Sequence, residues 1–140
     1  MSDEALFSGS KICLLCEGVL LTYQRDEKPG IPWPGLWDLP GGGREGCETP
    51  LECAIRETTE EFGLTMDPAW VVWSRVYPGQ GQSGLDTWFF VAEVPPGTFA
   101  HVRFGDEGQR WEISTVDAFL ANPEGIPHLQ KRLREFLSGY

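Results

Sequence analysis

The sequence has no apolar run approaching the roughly 18 residues needed to span a bilayer. Its opening stretch, MSDEALFSGSK, lacks the basic start and apolar segment of a secretory leader. The expected setting is the cytoplasm, with no membrane contact. Positive charge is scarce: 11 Lys and Arg stand against 21 Asp and Glu, a net charge of −10. Binding a nucleic-acid polymer by its phosphates takes basic patches, so that class is disfavoured. A phosphorylated ligand would here need a divalent cation held by clustered carboxylates. Metal-binding thiol spacing is missing too. Cys13 and Cys16 form a C-x-x-C inside the apolar run KICLLC, and Cys47 and Cys53 make no second pair at zinc spacing. The four thiols are expected to be buried or half-buried rather than ligands.

What is present suits one domain over residues 1–140, with 41% hydrophobic residues for one core. Gly (17) and Pro (11) are scattered between periodic apolar segments, which predicts many tight loops. Strands are expected at 11–16 and 19–25 with a turn at Gly18, at 36–39, 70–77 and 87–94, and more briefly at 101–104 and 110–113. DEKPGIPWPG (26–35) reads as a loop, Gly41 to Gly43 as a turn, and 128–137 as a closing helix. Strands alternating with two or three helices predict an α/β fold with a mixed sheet between helices.

The clearest helix runs from Pro50 to Phe62. Thr49 and Glu52 form a capping box, Pro50 takes the first helical position, and Gly63 stands where the chain must turn left-handed. At about 100° per residue, Leu51, Ala54, Ile55, Thr58 and Phe62 share one arc. Glu57, Glu60 and Glu61 share another. Three carboxylates at i, i+3 and i+4 repel one another by a few tenths of a kcal/mol per pair. A bound Mg²⁺ or Mn²⁺ would reverse that sign, because hard cations take carboxylate oxygens. An isolated E-x-x-E-E is most simply a solvated acidic face. Here three glycines precede the helix, and bare backbone of that kind suits close approach to a ligand.

From Gly42 the sequence reads GGREGCETPLECAIRETTEEFGL. It resembles the signature of the Nudix hydrolases of MutT-like type: Gly, five residues, Glu, seven residues, then R-E-U-x-E-E-x-G-U with U bulky and aliphatic. Gly42, Glu48, Arg56, Glu57, Glu60, Glu61, Gly63 and Leu64 stand at the matching positions. Thr58 departs from it, on the core-facing arc, which bears on packing rather than on metal binding. The resemblance implies an α/β/α sandwich and a metal-dependent hydrolase, a pyrophosphohydrolase of nucleoside triphosphates or other nucleoside diphosphate derivatives. Mg²⁺ is the implied cofactor, with Mn²⁺ as substitute. Glu57, Glu60 and Glu61 are the implied metal ligands, with a carbonyl of Gly41 or Gly42. Arg56 would pair with Glu48 and orient Glu57, which is also what an ordinary helix salt bridge does.

Three assignments stay open on the sequence. Arg25 is similar to the arginine that touches substrate phosphate in MutT-like members, and reads equally as a solvated strand-end charge. The carboxylate that takes the proton of the attacking water is Glu57 or Glu107, and Glu107 also reads as a further metal ligand or a turn residue. Trp33 and Trp37, in WPGLWDLPGGG, are the preferred surfaces for a nucleobase, with Tyr77, Trp88 and Phe89 near the loop 78–85 as others. Gly41 belongs with the substrate-facing group. The resemblance implies a small-molecule nucleotide as partner, and the length permits a monomer or a homodimer. The alternative function, a nucleotide or ADP-ribose sensor without turnover, usually goes with damaged metal positions, and none is damaged here.

Overall fold

The computed structural model describes residues 6–139; Met1–Ala5, part of the stretch read as lacking a leader, and Tyr140 lie outside them. The chain runs β1 (Phe7–Cys16), β2 (Val19–Gln24), β3 (Trp37–Asp38), β4 (Gly41–Gly43), α1 (Pro50–Phe62), β5 (Val71–Tyr77), β6 (Asp86–Glu93), β7 (Arg110–Thr115), α2 (Val116–Ala121) and α3 (Pro127–Leu137). No described helix is long and apolar enough to cross a membrane.

The strands form one mixed sheet. β1 pairs with β6 in parallel, and every other named pairing is antiparallel. A tight turn joins β1 to β2, with Glu17 (φ 49°) and Gly18 (φ 84°) both left-handed, as a two-residue hairpin requires. The two strands then diverge. They pair only at Leu15–Leu20 and Cys16–Val19. Further along, β4 takes the freed edge of β1 at Gly9–Lys11, and β3 takes that of β2 at Tyr23–Gln24. This opening in the sheet sets the glycines beside α1.

Period-2 alternation divides the strand side chains between two cores. Ile12, Leu14, Leu21, Tyr23, Phe90 and Ala92 pack with Ala54 and Phe62 of α1. Cys13, Leu20, Phe89 and Val91 pack on the opposite face with Phe119 of α2 and Leu129 and Leu133 of α3. The result is the α/β/α sandwich expected. All four cysteines are free thiols; Cys13 and Cys53 are buried and Cys16 half-buried, whereas Cys47 is exposed, against expectation.

α1 carries every terminal device read in its sequence. The Thr49 hydroxyl accepts from Glu52 N at 3.2 Å, the Glu52 carboxylate accepts from Thr49 N at 2.8 Å, and Gly63 closes the helix at φ 67°. Thr58 is fully buried, and its hydroxyl donates to Ala54 O at 2.8 Å. The departure at this position therefore leaves no polar group unsatisfied.

Three expectations need correction. Gly41–Gly43 is a strand rather than a turn, its conformation imposed by pairing with β1. Residues 101–104 form no strand. That segment runs past the end of α1 and donates Arg103 N to Phe62 O and Gly105 N to Glu61 O, both at 2.8 Å, so it satisfies the last carbonyls of the helix. The third is α2, six residues that lie beyond the expected end of β7 and start on a Thr115 cap.

Candidate active site

β4 and α1 meet through bare backbone. A Cβ on Gly42 would fall 2.6 Å from the Glu57 carboxyl carbon, and one on Gly41, whose φ is 133°, would fall 2.1 Å from Ser10 O. Gly41 N donates to Glu61 Oε1 at 3.0 Å. The three carbonyls of the strand are engaged separately: Gly41 O by Lys11 Nζ at 3.0 Å, Gly42 O by Cys53 Sγ at 3.4 Å, and Gly43 O by Arg56 Nη2 at 2.8 Å.

Arg56 organises the acidic face of α1. Its Nε and Nη2 make a two-point pair with Glu48 at 3.0 and 2.9 Å. Its Nη1 holds Glu57 Oε1 at 2.9 Å and Glu60 Oε1 at 3.0 Å. The hydrogen bonds from Arg56 hold Glu48 below the usual carboxylate range. Burial acts the other way on Glu57, which is raised, and on Glu61, pushed up to about 8. Glu61 is the deepest of the trio, 7% exposed, whereas the Glu60 side chain is 55% exposed.

A cavity of about 330 Å³ opens beside this face, and all the residues that line it are acidic: Glu45, Glu57, Glu60, Glu61, Asp106 and Glu107. Such a donor set, hard oxygens only with two carboxylates disfavoured as anions by burial, fits a hard divalent cation. As they stand, no three His, Cys, Asp or Glu side chains among the described residues are gathered closely enough to hold one. Glu57 and Glu60 share Arg56 Nη1 and at the same time line the cavity.

A second cavity, about 410 Å³, adjoins the first through Glu57, Glu61 and Glu107, and its wall continues through Gly41–Gly43, Lys11, Arg25, Trp33 and His128. Its floor is a buried network absent from the sequence reading. Asp38, 1% exposed, accepts on Oδ2 from Lys11 Nζ and Arg25 Nη1, both at 2.9 Å, and lies 3.1 Å from the Tyr23 hydroxyl. The same hydroxyl is 3.3 Å from Glu61 Oε2. Asp38 thus holds two cations at the wall of a cavity that Glu57, Glu61 and Glu107 also line. Lys11 was detectable as the one charge in an otherwise apolar strand. Asp38 was not, because no local pattern marks a buried acid.

The remaining candidates separate. Arg25 and Trp33 border the cavity, Trp33 with its ring 5.7 Å from that of His128. Glu107 borders both cavities. Trp37 does not belong with them: it is 7% exposed, lies under the Arg110 guanidinium at 5.5 Å, and lines neither cavity. Its backbone pairing in β3 turns the ring away from the opening between β1 and β2.

Comparison with protein families matches this chain to the NUDIX domain over residues 10–136. The chain belongs to the NUDIX family. Among solved structures it resembles a MutT protein from Methanosarcina mazei Go1, with TM-score 0.70 and 21% identity over 95% of this chain and 94% of that one. A bifunctional NMN adenylyltransferase/ADP ribose pyrophosphatase from Francisella tularensis aligns with TM-score 0.76 and 20% identity over 97% of this chain and 42% of that one. These likenesses establish the NUDIX fold. Among curated relatives, an RNA pyrophosphohydrolase from Cereibacter sphaeroides is 29% identical over 106 residues, 65% of this chain and 62% of its own length. A putative 8-oxo-dGTP diphosphatase from Mycobacterium tuberculosis is 52% identical over 33 residues, 24% of this chain and 15% of that protein. The chain spans less than two thirds of these relatives.

Proposed function

We propose that this NUDIX chain is a hydrolase of phosphoric anhydrides, cleaving the diphosphate linkage of a nucleoside triphosphate or a related nucleoside diphosphate derivative with Mg²⁺ or Mn²⁺. The observation that carries the reading is the apposition of two cavities, one walled by six acidic residues and the other adding Lys11 and Arg25 to the three glutamates that the cavities share. A diphosphate bridging them would place its charge against the cations while a metal occupied the carboxylates. The activities named for the relatives, RNA pyrophosphohydrolase and 8-oxo-dGTP diphosphatase, differ in the nucleoside part and share the pyrophosphate.

Glu57, Glu60 and Glu61 would hold the cation, and a bound divalent ion neutralises phosphate charge and lowers the pKa of water. The chain's own groups do the rest. Lys11 and Arg25 offset phosphate charge from positions fixed by Asp38. Arg56, itself fixed by Glu48, sets the Glu57 carboxylate. Glu57 or Glu107 accepts the proton of the attacking water, a step worth about 10²–10⁴-fold. Trp33 at the mouth offers a flat ring to a nucleobase.

The test is product release from a nucleotide panel with and without Mg²⁺. Turnover is expected only with metal, and E60Q or E61Q is expected to remove nearly all of it in folded protein. Wild-type turnover in those variants at saturating Mg²⁺ overturns the proposal, and metal-dependent nucleotide binding without turnover makes the chain a sensor instead.

A further inference from the structure

On the α3 side, a third cavity of about 320 Å³ continues from the second through Lys11, Gly42, Gly43 and His128. Its composition reverses that of the metal-facing side. None of its lining residues is acidic, and its polar lining includes Lys11, Gln80, Gln82, Thr87, His128 and Arg132.

Arg132 is the unusual member. It is 5% exposed, in α3, with its guanidinium carbon 4.0 Å from the centre of the Tyr77 ring. Among the described residues its one hydrogen bond runs from Nη2 to Thr87 Oγ1 at 3.2 Å. No described carboxylate forms a salt bridge with it. The nearest source of negative charge, Glu135, is engaged by the Tyr77 hydroxyl and lies 3.6 Å from Arg75. Among the described residues no fully buried side-chain nitrogen or oxygen lacks a partner. The unused Nε and Nη1 donors of Arg132 are therefore not fully sealed off, and the residue lines the cavity. A buried guanidinium stacked on one face and open along its edge is arranged for two-point recognition of an oxyanion. Leaving such a cation buried with only the shared Glu135 carboxylate acting on it is costly. His128, beside it, is held neutral down to about pH 4 by burial and by the Arg132 charge.

We propose that this cavity is an anion subsite in which Arg132 binds a phosphate group, distinct from the diphosphate held between the glutamates and Arg25. In an enzyme acting on nucleotides, the natural occupant is a phosphate of the substrate lying beyond the scissile anhydride. That assignment rests on the hydrolase reading, whereas the anion site does not.

Inorganic phosphate titrated into metal-free protein in EDTA, at constant ionic strength with chloride, tests it directly. Without a cation the glutamate face repels phosphate, so saturable binding seen by calorimetry reports a basic site elsewhere. Wild-type protein is expected to saturate at millimolar phosphate. R132M, close in length and able to keep packing on Tyr77, should weaken binding at least tenfold. R132K, which keeps the charge without the fork, should weaken it less. A folded wild type that binds no phosphate, or wild-type binding kept in R132M, overturns the proposal. With Mg²⁺ and a nucleoside triphosphate, competitive inhibition by phosphate assigns the site to a substrate phosphate, and noncompetitive inhibition assigns it to free phosphate. Phosphate binding without hydrolysis on any nucleotide would fell the hydrolase reading and leave this site standing. Hydrolysis without phosphate binding would do the reverse.

Discussion

Gly41 and Gly42 are adjacent, both lack a Cβ for steric reasons, and the obstacles differ in kind. At Gly42 the obstacle is the far end of the Glu57 side chain, 2.6 Å away, which can swing aside. At Gly41 it is Ser10 O in the neighbouring strand, 2.1 Å away, and φ is 133°. G42A is therefore expected to keep its melting temperature to within about 1 kcal/mol of stability. Turnover should fall at least tenfold, because the new methyl displaces Glu57 from Arg56. G41A is expected to cost several kcal/mol, since both a strained φ and a backbone collision must be accommodated. Equal thermal shifts for the two variants would contradict this division. Glu61 gives a prediction of the opposite sign. Its charge is disfavoured by burial, so E61Q in EDTA should melt several degrees above wild type, an effect on the order of 1–3 kcal/mol. The rise in wild-type melting temperature on adding Mg²⁺ should vanish in the variant. A lower melting point for E61Q without metal would show that the carboxylate stabilises the fold.

At the scale of elements, α1 stands on local devices that double-check one another. T49A removes the hydroxyl that caps Glu52 N and should cost about 1 kcal/mol in thermal or denaturant unfolding. Turnover at 25 °C is expected to stay near wild type, because the cap is a full two turns from Glu57. The same locality made α1 and the β1–β2 hairpin legible in the sequence: cap, proline, arc of apolar residues and Gly63 are all neighbours along the chain. The Glu48–Arg56 pair, which α1 and its N-terminal loop bring together, was legible only through the Nudix resemblance. What the sequence concealed depends on distant partners. Glycine has little strand preference of its own, and β4 is a strand only because β1 presents an unpaired edge there. Residues 101–104 have strand-like side chains, and they serve the end of α1 because Phe62 O and Glu61 O need donors. Asp38, Tyr23 and Lys11 join the site for the same reason, assembled from β1, β2 and β3 across the opening in the sheet. Trp37 looked suitable as a base platform from its neighbours in sequence, and the pairing of β3 buries it.

For the molecule as a whole, a net charge of −10 means that stability on the acid side depends on which groups take up protons. Most surface carboxylates do so with relief of repulsion. His128 works against them. It faces Arg132 on its own helix, Lys11 on β1 and Asp38 on β3, and burial together with the Arg132 charge lowers its pKa from 6.5 to about 4. Between those values the unfolded chain binds a proton there and the folded chain does not, so stability is lost as pH falls from about 6.5 toward 4. With discount for its partial exposure, the loss is on the order of 1–2 kcal/mol, or about 3–6 °C in melting temperature for a chain of this size. H128Q removes the titrating group and keeps a neutral polar side chain in place. The difference in melting temperature between wild type and H128Q should therefore shift by that amount between pH 7.5 and pH 4.5, in favour of the variant at low pH. A difference independent of pH would mean that His128 keeps its ordinary pKa in the fold, and that its ring does not feel Arg132.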